Sequence, residues 1–170
     1  EQGETLEILD RVGKTRIPVN RRFNFSTNPI FLYNNSFTTT DSNGSLISVT
    51  SSGNISTTSL NLSQNHKIST TSKTLVTLSD NKLTIKSKTI ELDFGDYTPP
   101  RIFYLNDKIY VTVTDLQSKK VYLFDSQAKS ISNFPVYGNS AIELSNIDKD
   151  KNLELVAKGD SNSIIIYKIN

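Results

Sequence analysis

The chain has no cysteine, no methionine, no tryptophan and a single histidine, His66. Without cysteine there are no disulfides and no thiolate metal sites, and one histidine cannot build a histidine-based zinc or iron centre. No apolar run is long enough to read as a transmembrane helix. A net charge of +2 is too small to imply a nucleic-acid or membrane partner. The early basic residues Arg11, Lys14, Arg16, Arg21 and Arg22 are interleaved with Glu1, Glu4, Glu7 and Asp10, which suits a charged strand edge better than a one-sign binding stripe. There is no glycine-rich phosphate loop and no nucleophile in a Gly-x-Ser-x-Gly setting. Helical apolar spacing is also missing over any stretch of ten residues or more.

What is present is alternation. Short runs rich in Thr, Ile, Val, Tyr and Phe recur, punctuated by Asp, Asn, Gly, Ser and Lys, as strands and turns are. Asp41, Asp80, Asp115 and Asp160 each close one such run and precede another, at spacings of 39, 35 and 45 residues. A period near 40 with short strands predicts an all-β protein: a β-propeller, or part of one, built from four-stranded antiparallel blades, with a β-sandwich as the alternative. On this reading residues 1–170 are one domain, with a half-blade at 1–22 and repeats at about 28–62, 66–96, 100–137 and 140–170. The last repeat would lack its outer strand, and the N-terminal run Thr5 to Asp10 would supply it. With Glu1 first and no methionine, the chain is expected to be a C-terminal fragment of a longer protein. Residues 36–79 hold Ser or Thr at 22 of 44 positions and are expected to form polar strands facing solvent.

The densest cluster of oxygen side chains is Asn146-Ile147-Asp148-Lys149-Asp150-Lys151-Asn152-Leu153-Glu154-Leu155-Val156. A hard cation such as Ca²⁺ takes several oxygens at about 2.3–2.6 Å, and alternate side chains of a tight loop can converge on one point. This stretch resembles the calcium loop of FG-GAP and VCBS-type repeats, D-x-[DN]-x-D-G-x-x-[DE]-[LI]. Asn146 stands at the usual first Asp, and Lys151 at the Gly that makes the sharp turn, where it disfavours a positive φ. The resemblance implies a degenerate, weak calcium site, with side-chain oxygens from Asn146, Asp148, Asp150 and Glu154 and a carbonyl from Asn152. No other cofactor is expected.

Other candidates are thinner. His66 follows Ser63-Gln64-Asn65 and reads as a surface-loop histidine. Glu91, Asp93 and Asp96 form the nearest set of carboxylates for glycoside hydrolysis, but an exposed strand explains them equally. Tyr33, Tyr104, Tyr110 and Tyr122 do not recur in register as a carbohydrate-binding propeller would require. The functional expectation is a non-catalytic interaction or scaffold module of a larger exported bacterial protein, at the cell envelope or outside it. The alternatives are a carbohydrate-binding propeller and a non-catalytic domain appended to an enzyme. A protein or glycan partner, and homodimerisation through strand edges, are the expected contacts.

Overall fold

A computed structural model describes residues 4–17, 19 and 21–169. Residues 1–3, 18 and 20 of the expected half-blade, and residue 170 of the last expected repeat, lie outside the described residues. All regular structure among the described residues is β-strand, so no helix there is long and apolar enough to cross a membrane. The chain divides into two compact units, residues 1–75 and 76–170.

In the first unit the strands are β1 (Glu4–Thr5), β2 (Ile8–Leu9), β3 (Thr15–Ile17), β4 (Arg22–Phe23), β5 (Phe31–Tyr33), β6 (Ser36–Thr40), β7 (Ser45–Val49), β8 (Ile55–Ser59) and β9 (Lys67–Thr70). β1 pairs with β4 and β2 with β3, as two small antiparallel sheets, while β5 to β8 form an antiparallel meander. Phe23, Ile47 and Val49 are its buried apolar centre, with Leu6, Ile8, Val19, Phe25 and Ile55 packed on them.

The second unit holds most of β10 (Leu75–Ser79), then β11 (Lys82–Ile85), β12 (Lys88–Glu91), β13 (Arg101–Leu105), β14 (Lys108–Asp115), β15 (Lys120–Asp125), β16 (Val136–Tyr137), β17 (Glu143–Ser145), β18 (Leu153–Lys158) and β19 (Ile164–Ile169). Within this unit the sheet orders are β12-β11-β10, β13-β14-β15-β16 and β17-β18-β19. One apolar cluster gathers Val76, Leu78, Leu83, Ile85, Val111, Val113 and Phe124, and a second gathers Val121, Leu123, Ile142, Leu144, Leu153 and Leu155. Gly138 lets the second cluster close up, since a Cβ there would stand 2.7 Å from Val121 Cγ2 and 2.9 Å from the Ala157 methyl.

The turns follow directly from residue chemistry. Asp10, Asp41 and Asp125 each accept, through Oδ1, the backbone N–H groups two and four residues ahead, at 2.8–3.0 Å. The residue three places ahead turns left-handed: Gly13, Gly44 and Ala128 have φ of 80°, 75° and 61°. Asn34-Asn35 and Asn106-Asp107 join their strand pairs with both residues at positive φ, the conformation a two-residue hairpin needs and Asn and Asp tolerate.

The all-β expectation holds, but the propeller does not. The described residues form six separate small antiparallel sheets, and none is closed into a barrel or propeller. Ring closure needed the Thr5-to-Asp10 run beside the last strand. Instead β1 and β2 find partners in β4 and β3, and β19 is an outer strand of a three-stranded sheet. Nor do six sheets of two to four strands make the two-sheet sandwich. A repeat array is likewise not what is built. What does recur is local: Asp41, Asp80, Asp115 and Asp160 all sit at or beside the turn between the second and third strands of their sheets. Asp41 and Asp115 accept the N–H two residues ahead while the Asp160 carboxylate bonds Lys119, so the periodicity marks a recurring turn position and not ring closure.

In the Ser/Thr-rich stretch β8 faces solvent as expected, with Ser56, Thr57, Thr58 and Ser59 exposed, but β6 does not. Thr38, Thr39 and Thr40 are buried, and their hydroxyls bond to Ser48 Oγ, the Asn28 carbonyl and Ser26 Oγ. A threonine keeps β-branched shape for the pleat and can bring its own hydrogen-bond partner inside.

Candidate metal centre

The acidic loop runs from the end of β17 into β18. Alternation buries Leu153 and Leu155, and β18 also holds Glu154 in the interior at 7% exposure. Its Oε2 accepts the Ile147 N–H at 2.8 Å and so closes the loop on itself. Asp148 Oδ1 accepts the Asp150 N–H at 3.1 Å. Asp150 in turn accepts the Asn152 N–H at 2.6 Å and its side-chain amide at 3.1 Å. These short-range bonds draw the carboxylates together within the loop itself, which is why the cluster was visible in the sequence. The left-handed residue is Lys149, with φ of 61°; the expected strain at Lys151 is not found there.

Asp148, Asp150 and Glu154 each place a carboxylate oxygen within 4.8 Å of the others, with the two aspartates exposed and the glutamate buried. They are the one such acidic or histidine group among the described residues. Two oxygens on opposite sides of a Ca²⁺ ion lie about 4.6–5.2 Å apart, so this spread could coordinate one divalent cation. Two further observations fit. Glu154 Oε1 is buried without a hydrogen-bond partner, and so is Asn146 Oδ1. An orphaned buried oxygen is costly unless a cation or donor meets it. Of the other expected ligands, Asn146 uses its amide nitrogen on the Asp150 carbonyl, and Asn152 spends its donors on Asp150.

Lys168, on β19, was missed by sequence reasoning. It lies directly opposite Glu154 in the β18–β19 register. Its Nζ is 2.6 Å from Asp150 Oδ2, 3.0 Å from Asp148 Oδ2 and 4.0 Å from Glu154 Oε1. The bonded ammonium, helped by the Asn152 N–H, holds the Asp150 carboxyl below the ordinary carboxylate range. Asp150 and Asp148 together push the Lys168 ammonium up. The only available signal was that alternation on a strand after the loop would put one cation beside it, and the register that selects Lys168 is not written locally.

Other sequence-derived candidates are placed elsewhere. His66 is not a surface histidine: it is 3% exposed. Its Nδ1 is 2.6 Å from the Ser63 carbonyl, which can only accept, so Nδ1 carries the proton and Nε2 accepts from Thr40 Oγ1 at 2.7 Å. Glu91 takes the Asn81 amide, Asp93 faces Lys120 at 3.7 Å, and the Asp96 N–H donates to Asp115. The first unit also carries a half-open groove of about 520 Å³ lined by Leu6, Ile8, Phe25, Ile30 and Phe37. Asn28 lines it too, but its amide is spent on Ser26, Thr40, the His66 carbonyl and the Ile68 N–H.

No protein-family model matches the chain, and no curated protein matches it.

Proposed function

We propose that the chain is a non-catalytic interaction module of a larger exported bacterial protein, that the edge of β19 is its contact strand, and that the 146–154 loop beside it holds calcium weakly. The observation that carries this reading is β19 itself. It is an outer strand, and Ile164 and Ile166 on it are 73% and 61% exposed. An outer strand with large apolar side chains templates another strand, because main-chain pairing adds to apolar burial. The occupant we favour is the same strand of a second copy, related by a two-fold axis. The exported bacterial setting rests on the Lys, Asn, Ile and Ser bias and on the loop's resemblance to repeats used in extracellular recognition. The non-catalytic part is supported by His66, whose two ring nitrogens are both engaged in the interior.

Sedimentation equilibrium across a concentration series tests the contact strand. The chain is expected to dimerise as concentration rises, and the double substitution Ile164→Lys, Ile166→Lys to hold it monomeric. A chain that is monomeric throughout, or a double variant that dimerises equally, removes β19 from the reading.

A further inference from the structure

We infer that Lys168 is a tethered competitor for the cation of the acidic loop: its ammonium occupies the place of the ion, and a divalent cation enters only as Nζ swings out. This rests on the reading of the loop as a divalent-cation site. The geometry supports it in three ways. First, Nζ makes close contact with Asp148 and Asp150 and stands 4.0 Å from Glu154, so it sits among the same three carboxylates that would hold an ion. Second, the substitution of ammonium for metal is incomplete. Glu154, over nine-tenths buried, keeps Oε1 without a hydrogen bond, and Asn146 Oδ1 is also left without one. A lysine is a point donor on a single stem, whereas a calcium ion accepts six to eight oxygens from all sides. Third, the arm can leave. The Lys168 side chain is 47% exposed, and its backbone is held by the β18–β19 ladder, so only the flexible stem need move.

The charge balance points the same way. Three carboxylates face the Lys168 ammonium, with Lys149 and Lys151 beside them in the loop. A divalent ion supplies more charge than the ammonium it displaces, but it must pay for breaking the Lys168 bonds. Affinity is therefore set by residue 168 as much as by the loop.

The test is calcium titration by calorimetry on the wild-type chain and on Lys168→Met, which keeps the stem and removes the charge. Lys168→Met is expected to bind Ca²⁺ at least about tenfold more tightly, the effect of removing one like charge at contact distance. It should be less stable than wild type in chelator and more stable in saturating calcium. Adding Glu154→Gln should abolish that binding. In the wild-type chain, calcium should raise the acetylation of Lys168 by a soluble reagent, read by mass spectrometry, which needs no variant to fold. Equal calcium affinity in wild type and Lys168→Met, with no change in Lys168 reactivity, overturns the competitor and leaves the cation site standing. No calcium binding by either chain at ten millimolar overturns the site, and Lys168 is then a fixed counter-ion.

Discussion

The Thr40 hydroxyl serves several partners at once. It faces His66 Nε2 at 2.7 Å, Ser26 Oγ at 2.8 Å and the Asn28 amide at 3.0 Å, all within the first unit. Thr40→Val keeps the shape and removes the hydroxyl, leaving a buried imidazole nitrogen without a donor. We expect a loss of about 1–3 kcal/mol, read from urea unfolding; a loss below measurement error would show that His66 finds another partner. Lys149 poses the opposite case. It is exposed and left-handed, a conformation that costs a non-glycine residue about 1–2 kcal/mol. Lys149→Gly should relieve the strain, offset in part by glycine's greater freedom in the unfolded chain, and raise the thermal midpoint slightly. A lowered midpoint would mean that the Lys149 side chain contributes more than its backbone costs.

At the scale of elements, the β18–β19 pair and its loop act together. Asp150 is held below its ordinary range chiefly by Lys168, and Asp160, in the turn between the two strands, chiefly by Lys119. A carboxylate whose folded pKa is depressed binds fewer protons folded than unfolded. Its contribution is therefore whole above the unfolded value of about 3.9 and is lost as pH falls through the lower folded value. Thermal midpoints should thus decline below about pH 4, and part of that decline should be missing in Lys168→Met. Both groups are exposed, so salt should shrink the effect. A decline of equal size in both chains would assign acid lability to other carboxylates.

For the molecule as a whole, the expected role of the N-terminal segment changes. It was to close a ring, but β1 and β2 pair with β4 and β3, and Leu6, Ile8 and Val19 pack on the Phe23–Ile47–Val49 centre. Deleting residues 1–22 should therefore uncover that centre. We expect a loss of several kcal/mol, since each partly buried aliphatic side chain contributes about 1–2 kcal/mol, together with dye binding at the exposed apolar surface. An unchanged melt would mean that the first unit is held by β5 to β8 alone.

Read by itself, the sequence determined the all-β class, the turn aspartates and the acidic loop. Each is a short-range matter: alternation sets which side of a strand is buried, Asp41 reaches its own turn amides, and Asp148, Asp150 and Glu154 converge within seven residues. Tertiary structure decided what depends on register and on competition between partners. It chose β3 and β4 as partners for the N-terminal strands instead of ring closure, buried Thr40 with His66 across 26 residues, and brought Lys168 to the loop by pairing it with Glu154. Strand pairing energy is nearly the same for many alternative partners, so the choice rests on which apolar faces bury together, and that sum is taken over the whole fold.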